Sequence, residues 1–330
     1  MEAVYYNIAL SSRGYAFFFR QVCSQFRRIA PEVDFLDYLE ELYEQNQKPE
    51  NFVPSEELLR WAVQRNKFRI LDANLDLLDE DVCDLAAYSG HLDLLQWLID
   101  KGFQPSYKTC EDAARGGYLE ILQWLKKEGY PWSSTPFCVA VVHGHKHILS
   151  WCKEINYGWD WPLCNEAAKV GNLEMLKWLR SEGCHWLPGL TCFAARHGHL
   201  KLLQWAVENG CELLSYTCRS AAEGGHLEIL QWLRGENCPW NEDTCSRAAS
   251  EGYFTLLQWA IENGCPYDSD TFTNAASKGG TEILEWLLSV KCPCDSYWTS
   301  VSATRSCNTE VLDWLKEKGL FYQGRRSLRL

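Results

Sequence analysis

A tryptophan recurs down this chain at a fixed interval. Trp97, Trp124, Trp151, Trp178, Trp205, Trp232, Trp259, Trp286 and Trp314 are separated by seven steps of 27 residues and one of 28. A second ladder keeps the same step or a multiple of it, in the pairs Ala86/Ala87, Ala113/Ala114, Ala167/Ala168, Ala194/Ala195, Ala221/Ala222, Ala248/Ala249 and Ala275/Ala276. Two ladders in register mean one supersecondary unit copied along the chain, and a period of this length belongs to stacked repeats whose units touch only their neighbours. One period, "YKTCEDAARGGYLEILQWLKKEGYPWS" at 107–133, gives the contents. Cys110, Ala113 and Ala114 are apolar at helical spacing, Gly116 and Gly117 break the chain, and Leu119, Ile121, Leu122, Trp124 and Leu125 form a second apolar stripe. The unit reads as helix, turn, helix, with Thr109 in or capping the first turn, Lys126 and Lys127 in the last, and Gly129 as a left-handed stop. Each helix is shorter than the roughly 12–15 residues that are marginally stable alone, so stacking has to supply the rest.

A repeat array of 330 residues escapes the usual count of two or three domains, because it grows by adding units. The formal charge of −12 argues against nucleic acid as a general partner, since phosphate neutralisation needs a basic surface. No run of residues approaches a membrane span, and residues 1–30 lack the parts of a secretory leader. The 16 cysteines look at first like a secreted disulfide framework, but such frameworks serve chains too small for a core. Most of them follow the repeat. Cys83, Cys110, Cys164, Cys218 and Cys245 stand three residues before an Ala pair, and Cys184, Cys211, Cys238, Cys265 and Cys292 step by 27 after the second helix. They read as reduced, buried, small apolar residues. With no Asn-x-Ser/Thr acceptor in the chain, an intracellular protein is expected, cytoplasmic with the nucleus left open.

The stretch "TCEDAARGGYLEILQWLKKEG" resembles the ankyrin repeat, with Thr, Ala-Ala, Gly-His-Leu (as at 90–92 and 225–227) and a final Gly in that family's order. The family's unit is longer and ends in a projecting β-hairpin finger, where only "YPWSS" or "CPWNED" remains here. The resemblance implies an all-α, ankyrin-like helix-turn-helix solenoid with little or no finger. It also implies a scaffold that binds a partner protein on its concave face. The array runs over residues 81–319, preceded by a degenerate capping repeat at 55–80 and followed by a basic tail at 320–330. A polar linker at 46–54 separates it from a short helical segment at 1–45. There, "FRQVCSQFRRIA" is similar to the second half of an F-box, with Phe26 in place of the usual Trp and without the Leu-Pro opening. That likeness implies either Val22, Cys23 and Phe26 as contacts for a ubiquitin-ligase adaptor, with the array selecting the substrate, or a degenerate F-box that merely packs on the first repeat.

Information in a repeat protein sits where the copies differ. The residues flanking the Ala pair vary most, and the ankyrin resemblance puts them on the first helices, facing the concave side. They are Asp112 and Arg115, Val142 and His143, Glu166 and Lys169, Arg196 and His197, Ser220 and Glu223, Arg247 and Glu251, and Asn274 and Lys278. This mixed-charge strip is the candidate partner surface, against the plainer reading of a solvated face. The nine Trp residues are expected in the core, and the loop set Trp132, Trp159, Trp186, Trp240 and Tyr267 in inter-loop packing or an aromatic strip open to a partner.

Signatures of catalysis are missing: there is no Gly-Lys dipeptide for a phosphate loop, and no GxGxxG, GxSxG or HExxH. No enzyme activity and no cofactor are expected. The rival is a purely structural or metal-stabilised array, since His143, His145 and His147, and His197 and His199, stand near Cys-rich loops, with Cys238/Cys245 and Cys292/Cys294 the nearest pairs. Against it, no CxxC occurs, and equivalent positions of neighbouring repeats lie about 8–10 Å apart, too far to share one zinc ion.

Overall fold

The computed structural model describes residues 35–44, 53–156, 162–278 and 280–322. They form 21 α-helices and one 3₁₀ turn, with no strand among the described residues, so no β-hairpin finger follows the helix pairs there. The segment carrying Val22, Cys23 and Phe26, Trp159, and the tail from 323 onward lie outside the described residues. Two compact units divide the chain, residues 1–158 and 159–330.

In the first unit, α1 (Phe35–Glu44) packs on α3 (Phe68–Asp72), which pairs with α2 (Glu56–Gln64). Three further pairs follow: α4 (Val82–Ser89) with α5 (Leu92–Asp100), α6 (Tyr107–Gly116) with α7 (Leu119–Lys127), and α8 (Thr135–His143) with α9 (Lys146–Glu154). The second unit holds six pairs: α10 (Leu163–Val170) with α11 (Leu173–Ser181), α12 (Leu190–Arg196) with α13 (Leu200–Glu208), α14 (Thr217–Glu223) with α15 (Leu227–Gly235), α16 (Glu242–Glu251) with α17 (Phe254–Glu262), α18 (Ser269–Lys278) with α19 (Thr281–Ser289), and α20 (Ser296–Arg305) with α21 (Thr309–Glu317). Within each unit, every first helix stacks on the first helix of the next pair, from α2 through α8 and from α10 through α20.

The Ala pairs explain that stacking. Ala113, Ala114, Ala221 and Ala222 are all fully buried, and a methyl group is small enough to let the next helix approach closely. Between them run buried hydroxyls that would be costly if unpaired. Thr109 Oγ1 donates to Asp84 Oδ1 at 2.6 Å, and Ser246 meets Thr271 at 3.2 Å. At the start of α6, Ser106 Oγ accepts the Lys108 N–H at 3.1 Å while Thr109 Oγ1 accepts the Ser106 N–H at 2.9 Å, a reciprocal cap.

The anchoring tryptophans are not the core. All but Trp314 are half-buried, and the buried positions are instead the residues three and two before each Trp and one after it, such as Leu94, Leu95 and Leu98, or Ile229, Leu230 and Leu233. At about 100° per residue those three positions fall within an arc of about 100°, and the Trp sits roughly 110° from its middle, on the flank of the helix. In α21, which follows a one-residue insertion in the preceding turn, Trp314 joins Val311 and Leu315 in the buried set, and it donates to Glu285 Oε1 at 3.1 Å.

The Gly-aromatic register also proves structural. His91, His145, His199 and His226 each place Nε2 on a carbonyl near the end of the preceding first helix, those of Gln64, Arg115, Lys169 and Arg196, at 2.9–3.1 Å. The rings of His145, His199 and His226 pack against the preceding repeat's turn glycine, Gly117, Gly171 and Gly198. At Gly117, which has φ +86°, an added Cβ would meet the His145 ring at 2.8 Å. These histidines are consumed in joining one repeat to the next, and no group of three metal-ligating side chains is gathered among the described residues.

Candidate partner-binding surface

The first helices hold the variable residues side by side within each unit. In the first unit Asp112 is 7% exposed and ion-paired with Arg115 on the next turn. Burial raises its carboxyl above the usual range, and Arg115 opposes that shift. Asp112 is therefore turned into the protein, while Arg115 and His143 are exposed. The His143 ring stacks on His145 at 6.3 Å between centroids, and partial burial, with Arg115 nearby, holds it below the ordinary histidine value.

In the second unit the strip is linked from repeat to repeat. Glu166 pairs with Lys169 at 2.6 Å, and Lys169 lies over the Phe193 ring of the next helix at 4.8 Å. Arg196 reaches Glu223 at 3.2 Å, one repeat on, and Lys278 reaches back to Glu251 at 2.7 Å. The Lys278 ammonium lowers the Glu251 carboxyl chiefly through that hydrogen bond. His197 is exposed and stacks on His199, with burial and the neighbouring rings and cations lowering its pKa. Arg247 and Asn274 are half-buried between these pairs. The strip is thus linked across α10, α12 and α14 and across α16 and α18, and its charges are largely self-neutralising.

The loop tryptophans expected in inter-loop packing or an aromatic strip form a second repeating surface. Loop tryptophans pack edge-on against the second-helix tryptophan of the following repeat: Trp132 on Trp151 at 5.9 Å, Trp186 on Trp205 at 6.1 Å, and Trp240 on Trp259 at 6.0 Å. A cation covers each loop ring. Arg180 lies 4.2 Å over Trp186, Arg234 4.2 Å over Trp240, and Lys126 5.3 Å over Trp132. Both arginines also donate to a loop carbonyl, of Cys184 and Cys238 respectively, so each clamps a loop to its own helix. The signal was present in the sequence: a basic residue stands six places before each of these loop Trp residues, and Val207 and Ile261 stand six before Leu213 and Tyr267.

The loop cysteines are buried because they close the second helix. The N–H groups of Cys184, Cys211, Cys238, Cys265 and Cys292 each bond a carbonyl five residues back, at 2.9 Å. The fold brings the Cys164 and Cys184 thiols together at 3.3 Å and sets the Cys218 thiol on the Cys238 carbonyl at 3.8 Å, so Cys238 is placed against Cys218.

The comparisons with known proteins agree with this architecture in part. The family of ankyrin repeats in many copies matches residues 83–126, which span α4 to α7. No curated protein matches the chain. Among solved structures, the pentatricopeptide repeat protein PPR10 in complex with an 18-nt psaJ RNA element is 13% identical, with a TM-score of 0.41 over 98% of this chain and 59% of that one. PPR10 from maize is 13% identical, with a TM-score of 0.37 over 97% of this chain and 54% of that one. The chain therefore spans under two thirds of either structure. What stands is an all-α helical repeat array, similar to the ankyrin-repeat family over residues 83–126. No helix among the described residues is long and apolar enough to cross a membrane.

Proposed function

We propose that the array is a non-catalytic scaffold that binds a partner protein along the exposed strip of its first helices. One observation carries the reading. The residues every repeat shares are consumed in stacking, whereas the residues that differ lie on stacked first helices, linked across α12 and α14 and across α16 and α18 by the Arg196–Glu223 and Glu251–Lys278 pairs. A surface of alternating charge suits a polar protein face more than a phosphate backbone, and the net charge of −12 points the same way.

The test is affinity capture with the intact chain and with Arg196→Glu/His197→Ala/Lys278→Glu. The expected result is a set of captured proteins lost from the variant while its helical content is unchanged. An identical captured set from both, or single-stranded RNA bound in place of protein, overturns the reading. The adaptor role of Val22, Cys23 and Phe26 rests on sequence alone. For that part, Val22→Asp/Phe26→Asp is expected to lose a ubiquitin-ligase adaptor and keep the array's partner. An intact chain that captures no adaptor overturns the adaptor role only.

A further inference from the structure

Three repeats of the second unit carry the same buried dithiol. The first-helix thiol of Cys164 donates to the loop thiol of Cys184 across 3.3 Å. The same two repeat positions, 20 residues apart, hold Cys218/Cys238, where the helix thiol donates to the loop cysteine's carbonyl at 3.8 Å, and Cys245/Cys265. We propose that these three pairs are oxidation sites, each closed by a peroxide into a disulfide that fastens the loop, and the second helix before it, to the first helix of the same repeat.

The placement explains why a pair rather than a lone thiol would react. In each pair the helix cysteine is fully buried, and the loop cysteine, 2–4% exposed, is the one nearer solvent. In the Cys218/Cys238 pair the loop sulfur is also the better nucleophile: Cys218 holds the Cys238 thiol below the ordinary value, with Arg234 adding to the effect, whereas the helix thiols of all three pairs are pushed up. Hydrogen peroxide is close to water in size and reaches a loop whose local opening is cheaper than unfolding. The loop thiolate attacks one peroxide oxygen. The O–O bond breaks, the departing hydroxide takes the thiol's proton and leaves as water, and the loop sulfur becomes a sulfenic acid. The helix thiol then attacks that sulfur. The S–S bond forms, the S–O bond breaks, and a second water leaves with the helix thiol's proton. Each pair is oxidised by two electrons, and one peroxide is reduced to two waters.

Cys83 and Cys110 sit at the helix position of their repeats with no cysteine 20 residues on, where Phe103 and Tyr130 stand instead. They are equally buried, and they serve as internal controls. The experiment treats the reduced full chain with hydrogen peroxide, blocks remaining thiols, and maps disulfides by mass spectrometry without reduction. The expected result is the three cross-linked peptide pairs, each lighter by two hydrogens, with Cys83 and Cys110 recovered as blocked thiols. A thermal midpoint raised by several degrees and restored by reductant accompanies it, and Cys184→Ser/Cys238→Ser/Cys265→Ser does not show the shift. Scrambled pairings, or oxidation of Cys83 and Cys110 as extensive as that of the three pairs, overturn the proposal whether or not the triple variant folds.

Discussion

Single residues in this protein are conspicuous for reasons that a substitution can separate. Gly117 and Gly129 both have left-handed backbone, but a Cβ at Gly117 would strike the His145 ring, whereas Gly129 has open space around it. Gly129→Ala is expected to cost about 1–2 kcal/mol for the backbone alone, and Gly117→Ala more than that, because the ring and its bond to the Arg115 carbonyl must also move. Urea titration of both variants checks the order, and equal costs would refute the close-packing account. The tryptophans give a second contrast. Since eight of the nine repeat tryptophans are half-buried, acrylamide is expected to quench much of the native emission. Leu230→Ala, at a fully buried neighbour of Trp232, is expected to cost about 2–5 kcal/mol. Native fluorescence shielded as well as that of a buried indole would contradict the placement.

At the scale of helices and loops, the stable element is a helix pair clamped by its own loop. Arg234→Ala removes both the cover on Trp240 and the bond to the Cys238 carbonyl. Faster amide exchange at residues 236–241 is expected, with little change at the Ala pair of α14; uniform acceleration across the repeat would argue against a local clamp. The helix pairs were legible in the sequence because the Ala and Leu spacings, the turn glycines and the lysines at the end of α7 all agree. The side the tryptophans take does not follow from their period: an apolar residue at a repeating position suggests core, although the helical angle from Ile229, Leu230 and Leu233 puts Trp232 on the flank. The variable strip was legible as a set of positions, since Arg196 and Glu223 do lie against each other. That Asp112 is buried was not legible, because its enclosure depends on the neighbouring helices and not on its own repeat.

Over the whole molecule the buried thiols set a pH limit. Burial pushes Cys83, Cys110, Cys152 and Cys292 up to about 12 and Cys211 up to about 11, from an ordinary 9.0. A group whose folded value is raised contributes stability that is intact below its unfolded value and lost as pH rises toward the folded one. Stability in reducing buffer is therefore expected to hold to about pH 8 and fall between about pH 9 and 11, by up to about 1.4 kcal/mol per pH unit for each such thiol. Cys83→Ala/Cys110→Ala is expected to flatten the slope, and denaturation midpoints measured across that range decide it. The histidine links carry a different consequence: they give the array a direction. His226 caps the Arg196 carbonyl and His199 that of Lys169, so where a histidine stands at this position the later repeat completes the one before it. A cut between the repeats of Arg196 and His226, or of Lys169 and His199, strips the earlier repeat's helix terminus of its partner and leaves the later one only an unused imidazole facing water. Such a cut is unequal on its two sides, and the earlier repeat bears the greater loss.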